Sequence, residues 1–295
     1  MKKIKEYLYV IIAAFFFGIM PVLIKNAYHF GANGYNVTFY MALLSIPIYA
    51  GILFCTRTSI RLPPRLLGFS LLAGLADVGT FLLLYLSYSY ISAGMATMLN
   101  FIYPVTIALA MHLLFHEQFG WKKRVALAIY LVGMLCLHMG SLSGKLPGFL
   151  LAVCSGLMYT VHAIVLDRTG LAEENVYVVG IYKAVTVAVV SGILGLLMGQ
   201  PMQIRGWEAW SAILVCTILC RIACNALLMA AIRQLGAFIP SVISTLEPVV
   251  AVAADCIVLH EQLSLSQSGG MLLILVAVVL ITVSNQTAAV TSRME

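Results

Sequence analysis

The stretch Ile91–Gln118, ISAGMATMLNFIYPVTIALAMHLLFHEQ, recurs as Leu235–Gln262, LGAFIPSVISTLEPVVAVAADCIVLHEQ, and the two align without a gap. Pro104 falls on Pro248 and His116-Glu117-Gln118 falls on His260-Glu261-Gln262, each pair 144 residues apart. Both copies are apolar segments interrupted by a proline. Such segments at matching positions in two halves are the mark of a secondary transporter built from repeats, with its site beside the breaks.

Composition sets the class. Hydrophobic residues make up 62% of the 295 and charged residues 9%, with a mean hydropathy of +1.02. A soluble chain carries about 25% charged residues, so this one reads as an all-α integral membrane protein. The net charge of +6 comes from Lys and Arg dispersed at the ends of apolar runs. That is the pattern of cytoplasmic loops and not of a nucleic-acid surface. Seven cysteines show no C-x-x-C spacing. Cys216, Cys220 and Cys224 share a helix face, which reads as helix packing and not as a metal or redox stripe. Lys2, Lys3 and Lys5 precede an apolar run, Tyr7 to Ile24, that is too long for a signal segment and reads as the first membrane helix.

A span of roughly 20 largely apolar residues crosses a bilayer. On that rule the chain holds ten: 6–26, 35–55, 66–88, 92–115, 122–140, 147–167, 176–198, 208–232, 236–259 and 267–285. Turn chemistry separates them at Gly31-Ala32-Asn33-Gly34, Pro63-Pro64, Ser143-Gly144-Lys145 and Gly199-Gln200-Pro201. Spans 3 to 5 align with 8 to 10. Spans 1 and 2 align less clearly with 6 and 7, as in Gly18 with Gly156 and Tyr40 with Tyr182. The expected organisation is a five-helix repeat over 1–144 and a second over 145–295, forming one membrane unit. Five is odd, so the second copy enters from the opposite face and the topology is inverted. Lys2, Lys3, Lys5, Arg57, Arg61, Arg65, Lys122, Lys123 and Arg124 fall on one side, with Lys25 and Lys145 opposite. Both termini are therefore expected inside.

Ionisable groups near the bilayer centre cost about 2.5–3.5 kcal/mol each on insertion scales, so each needs a reason. Four stand out: Asp77 in span 3, Lys183 in span 7, Arg221 in span 8 and Glu247 in span 9. Their charges sum to zero. Asp77 and Arg221 are again 144 residues apart, and Glu247 aligns with Tyr103, each immediately preceding its proline. Interior proline removes a helix hydrogen bond, so carbonyls beside Pro104 and Pro248 can face a cavity and contact substrate. Glu247, a carboxylate in a low-dielectric setting beside such a break, is the leading candidate for carrying a proton. The structural alternative is a static ion pair with Arg221 or Lys183. Asp77, Phe81 and Tyr85 form one stripe on span 3, Arg221 and Asn225 another on span 8, and Tyr159 with His162 an aromatic-polar pair on span 6. Aromatic faces bind cations or pack against apolar groups. His116-Glu117 and His260-Glu261 read as interfacial helix ends, and Asp255 as cavity entrance or headgroup contact. Gly195 and Gly199 allow close helix approach.

The chain resembles the ten-helix EamA-type branch of the drug/metabolite transporter superfamily over essentially its whole length. The resemblance rests on Ala93-Gly94-Met95-Ala96, Tyr103-Pro104 and His116-Glu117, matched by Gly236-Ala237-Phe238-Ile239, Glu247-Pro248 and His260-Glu261. In that family each copy carries a mid-helix proline and a glutamate near the helix end. A Gly-containing helix follows, here at Gly133 and Gly269-Gly270. It implies transport of small metabolites, often amino acids, through a central cavity that opens alternately to each side. The family's usual basic residue in the second helix is replaced by Met41, while the equivalent position of the seventh holds Lys183.

The resulting expectation is a transporter, not an enzyme, in the plasma (bacterial inner) membrane, needing no cofactor or metal. Its substrate is a small polar metabolite, foremost an amino acid or derivative, with the proton as candidate coupling ion through Glu247 or Asp77. Arg221 and Lys183 meet the carboxylate, Glu247 or Asp77 the ammonium. Asn225, Phe81, Tyr85, Tyr103, Tyr159 and His162 complete the candidate site. The rival reading is a quaternary or organic cation, with Glu247 and Asp77 dominant. A lipid-modifying enzyme would cluster polar groups at one interface instead of the midplane. The expected state is a monomer or weak homodimer.

Overall fold

The computed structural model describes residues 2–116, 120–139, 146–227, 231, 243, 244, 246–260 and 264–291. Glu117, Glu261, Arg233, Arg293, Gly236 to Ile239 and the Ser143-Gly144-Lys145 break lie outside the described residues. Within them the chain is helical, with short turns and no strand. The helices are α1 (Lys2–Ala27), α2 (Gly34–Cys55), α3 (Pro64–Ser87), α4 (Ala93–Asn100), α5 (Tyr103–Phe115) and α6 (Trp121–Met139). They continue as α7 (Leu146–Thr169), α8 (Val176–Leu197), α9 (Trp207–Cys216), α10 (Leu246–Val258) and α11 (Leu265–Thr291). A π-helical turn, Thr217–Cys224, prolongs α9.

Seven helical runs are long and apolar enough to cross a membrane: Lys5–Phe30, Gly34–Cys55, Pro64–Ser87, Ala93–Phe115, Leu146–Thr169, Val176–Leu197 and Trp207–Leu227. Shorter apolar stretches, Arg124–Gly133 and Ser268–Ala277, lie within α6 and α11. The ninth expected span, 236–259, is described only at 243, 244 and from 246 onward.

The fourth span departs from the sequence expectation of one helix over 92–115. It breaks at Phe101-Ile102, and Pro104 sits in the first turn of α5, where a missing N–H costs nothing. At the break the Leu99 carbonyl accepts both the Ile102 N–H at 3.2 Å and the Tyr130 hydroxyl of α6 at 3.1 Å. The Asn100 side-chain amide donates to Ser155 Oγ of α7 at 2.7 Å. Backbone groups away from water are nearly always paired, and other helices supply the partners here. Asp255 serves the same need. Buried in α10, it accepts the Gly94 backbone N–H at 2.6 Å and so caps the N-terminus of α4, a role neither cavity entrance nor headgroup contact describes.

Helix partners recur across the two halves. α6 packs on α11, α2 on α8, and α4 on α10; α7 packs on α4 and α5, and α1 on α10. Gly156 of α7 lies so close to the first break that an added Cβ would stand 2.5 Å from the Asn100 carbonyl oxygen. Gly18 of α1 lies equally close to α10, its added Cβ 2.7 Å from the Glu247 carbonyl oxygen. Asn33 caps α2 by accepting from Tyr35 N–H, and Asn175 caps α8 by accepting from Tyr177 N–H. His116 and His260 both adopt the left-handed region, with φ of 56° and 52°.

Close helix approach at Gly156 and Gly18 makes a clear forecast. Gly156→Ala or Gly18→Ala is expected to cost about 1–3 kcal/mol by overpacking. Gly51→Ala, with nothing within 4 Å of the new carbon, leaves stability unchanged or raises it. Thermal unfolding of the three purified variants measures the difference.

Candidate functional site

Asp77 lies in α3, on a face covered by α7 and α8. Its carboxylate is 6% exposed and holds two partners. His162 Nδ1 of α7 stands 2.8 Å from Oδ1, and Lys183 Nζ of α8 stands 3.0 Å from Oδ2. The same His162 nitrogen is 3.2 Å from the Ala73 carbonyl, and His162 Nε2 is 3.4 Å from Lys183 Nζ. Two acceptors at Nδ1 and a donor at Nε2 assign the neutral imidazole with its proton on Nδ1. The cluster is a closed triangle of carboxylate, imidazole and ammonium.

This pairing sorts the four charges singled out in the sequence. Lys183 is engaged by Asp77, and neither Arg221 nor Glu247 completes the ion pair considered for them. Among the described residues no carboxylate lies within 4.0 Å of the Arg221 guanidinium, and no cation within that distance of Glu247.

Arg221 rests instead on the Phe81 ring, its guanidinium carbon 4.6 Å from the ring centroid. A cation over an aromatic face gains about 0.5–2 kcal/mol and keeps its hydrogen-bond donors available. Its own carbonyl, in the π-helical turn, accepts from Tyr49 Oη at 3.1 Å and from Asn225 Nδ2 at 2.7 Å. Asn225 is thereby turned toward the backbone. Tyr49 had no signal in the sequence, being one tyrosine of fourteen with no charged neighbour at helical spacing.

Glu247 stands in the first turn of α10, beside buried Pro248, and is half-buried. Its carboxyl is within electrostatic reach of Tyr103 and Tyr159. Those two rings meet at 4.4 Å between centroids, and Tyr159 stacks on the His162 ring at 5.7 Å. A continuous series thus runs from Glu247 through Tyr103 and Tyr159 to His162 and Asp77. Phe81, Tyr103, Tyr159, Lys183, Arg221 and Glu247 are each partly exposed within this apolar bundle. Tyr85 stands apart from that wall. It is fully buried behind Phe81, 6.0 Å from it between centroids, with its hydroxyl 3.7 Å from Met41 Sδ. Cys216, Cys220 and Cys224 are buried, and Cys220 Sγ lies 3.5 Å from the Phe16 carbonyl of α1.

A bundle of apolar helices with partly open, oppositely charged groups beside a helix break is the arrangement in which secondary transporters hold their sites. Comparison with known proteins specifies it further. The model of the EamA-like transporter family matches residues 4–139 and again 146–283. The chain belongs to that family. A similar curated protein is the uncharacterized transporter sll1319 of Synechocystis sp., 26% identical over 206 residues. That match covers 68% of this chain and 61% of the relative, less than two thirds of its length. A solved crystal structure of another protein superposes with a TM-score of 0.67 at 15% identity, over 94% of this chain and 97% of that one. At that identity it shows the fold alone.

The triangle yields a stability forecast. Asp77→Ala leaves Lys183 and His162 without their shared acceptor and is expected to cost about 3–5 kcal/mol. Adding Lys183→Met to Asp77→Ala restores part of the loss, because the stranded ammonium is gone. Unfolding curves of both variants in the same detergent measure the coupling.

Proposed function

We propose that the protein carries a zwitterionic metabolite, an amino acid or amino-acid derivative, across the plasma membrane by alternating access. The observation that carries this reading is the pair of charges left open in the bundle. Arg221 lies on Phe81 with its donors free of any described carboxylate, and Glu247 lies beside Tyr103 and Tyr159 with no described cation against it. Arg221 takes the substrate carboxylate and Glu247 its ammonium, while Phe81, Tyr103 and Tyr159 cover the side chain. Charge-assisted hydrogen bonds of this kind contribute about 1.5–3 kcal/mol each.

The proposed architecture is ten helices in two inverted five-helix repeats, 1–144 and 145–295, with both termini inside. Several matched features support it: the paired helix contacts, the Gly156 and Gly18 approaches, the Asn33 and Asn175 caps and the left-handed His116 and His260. Two repeats of opposite orientation give two states of similar energy by exchanging their conformations. Substrate flux is proposed to be coupled to protons.

The organic-cation reading draws on one specific observation, the clustering of Tyr103 and Tyr159 near the Glu247 carboxyl. Arg221 weighs against it, because a cation site gains nothing from an open guanidinium.

Counterflow in proteoliposomes loaded with a mixture of amino acids tests the assignment. Arg221→Ala and Glu247→Gln are each expected to lower labelled amino-acid uptake at least about tenfold, equivalent to about 1.4 kcal/mol. Wild-type uptake by both variants overturns the reading. Competition by choline but not by zwitterions moves the assignment to the cation.

A further inference from the structure

With His162 neutral, the Asp77–His162–Lys183 triangle carries no net charge, and its hydrogen-bond positions are allotted. Nδ1–H is given to Asp77 Oδ1 and shared with the Ala73 carbonyl. The Nε2 lone pair faces Lys183 Nζ at 3.4 Å. That lone pair is the place in the triangle where a proton adds without displacing one already present. Adding it removes the acceptor that Lys183 faces and sets a second cation beside the first, with one carboxylate to hold both. Lys183 is the member best placed to leave: its side chain is 21% exposed, against 7% for His162 and 8% for Asp77.

We infer that His162 Nε2 is the proton-binding site that couples transport, and that its protonation releases the Lys183 ammonium toward the cavity as a second anchor for a substrate carboxylate. The step balances simply. One proton joins the Nε2 lone pair, the Lys183 contacts to Nε2 and to Asp77 Oδ2 both break, and the Nδ1–H···Asp77 bond is kept, so that the imidazolium replaces the ammonium as the counter-charge of Asp77; deprotonation restores the triangle. Coupling thus falls to the imidazole and not to either carboxylate. Asp77 stays ionised, and Glu247 remains with the substrate ammonium. The coupling role rests on the carrier reading above, whereas the proton site itself does not.

The surroundings from each packed element fit this assignment. α3 contributes Asp77 and the Ala73 carbonyl, and α8 contributes Lys183. On α7 itself, Tyr159 stacks on the imidazole. From α5, Thr106 is hydrogen-bonded to Thr160, and Tyr103 meets Tyr159. The Arg221 guanidinium lies within electrostatic reach of Asp77 from the π-helical turn, the Tyr49 hydroxyl of α2 lies within reach of Asp77, and Tyr159 lies within reach of Glu247 of α10. Of these types, imidazole is the one whose ordinary charge change falls between about pH 5 and 8.

The test is nitrogen-15 spectroscopy of histidine-labelled full-length protein in lipid nanodiscs, with carbon-13 lysine as a second label. The His162 signal is the one lost in His162→Gln; should that variant fail to fold, the imidazole signal perturbed in Lys183→Met identifies it. The expected result is a single Nδ1–H tautomer at alkaline pH that becomes doubly protonated as the pH is lowered, with the Lys183 signal moving in step. Asp77→Asn is expected to weaken the preference for Nδ1–H, which the Ala73 carbonyl and Lys183 then support without a carboxylate. A His162 that stays singly protonated throughout, or a Lys183 signal that ignores it, overturns the inference. Proteoliposomes carrying an internal pH dye, driven by an amino-acid gradient, separate the two proposals. Amino-acid flux beside a non-titrating His162 sinks the proton site and leaves the carrier reading intact. A titrating His162 with no amino-acid-driven flux supports the proton site and sinks the zwitterion.

Discussion

A carboxylate held away from water requires its charge to be answered from outside its own helix, and Asp77 is answered twice. His162 reaches it from α7 and Lys183 from α8, at 2.8 Å and 3.0 Å. Separating these partners leaves an uncompensated charge in low dielectric, a far larger penalty than the net gain of forming the pair. Three helices are therefore fixed relative to one another by one side chain. What remains open follows from that commitment. With Asp77, His162 and Lys183 turned toward each other, Arg221 and Glu247 are the two of the four charges without an ion-pair partner among the described residues, and the proposed zwitterion site is the complement they form.

The same requirement shapes the broken helix. At Phe101-Ile102 the chain leaves helical geometry, and α6 and α7 supply Tyr130 and Ser155 to the groups nearby. Asp255 of α10 supplies the cap that α4 needs at its other end. The break is thus held by side chains from both halves of the sequence. A change in how the halves sit against each other changes the support of α4 at both ends. In the proposed carrier, that is a physical route by which motion of one repeat is felt at the site.

Much of this was legible in the sequence, and the limits have definite causes. The all-helical membrane class followed from composition, and the repeat from Pro104 and Pro248 at one offset. Asp77, Lys183, Arg221, Glu247, Tyr103 and Tyr159 were singled out because charged and aromatic groups are costly or conspicuous among apolar neighbours. Their pairing was not legible. Linear spacing relates residues on one helix, whereas the His162–Asp77–Lys183 contacts join three, and which helices meet is a property of the packed bundle. Tyr85 illustrates the converse. Its i, i+4 spacing from Phe81 placed it on the same stripe, yet the stripe is wide enough for one ring to be partly exposed and the next to be buried. The role of Asp255 was hidden because a carboxylate that caps another helix leaves no mark beyond its own position near a span end. The split of span 4 was legible only as a proline, since whether proline kinks a helix or begins a new one depends on what pairs the freed groups.

The π-helical turn at Thr217–Cys224 has no counterpart in α3, which is regular α-helix through the aligned positions. A wider turn accommodates an extra residue, and one residue rotates later side chains by about 100° about the helix axis. Asp77 and Arg221, aligned in the sequence, accordingly take unlike surroundings: one enclosed in a salt-bridged triangle, the other lying open on a ring. A perfectly two-fold molecule would make its two faces chemically identical and its two openings equal in energy. In the proposed inverted architecture, the irregular turn removes that degeneracy, since the two aligned positions carry unlike chemistry and the two openings are then unequal in energy.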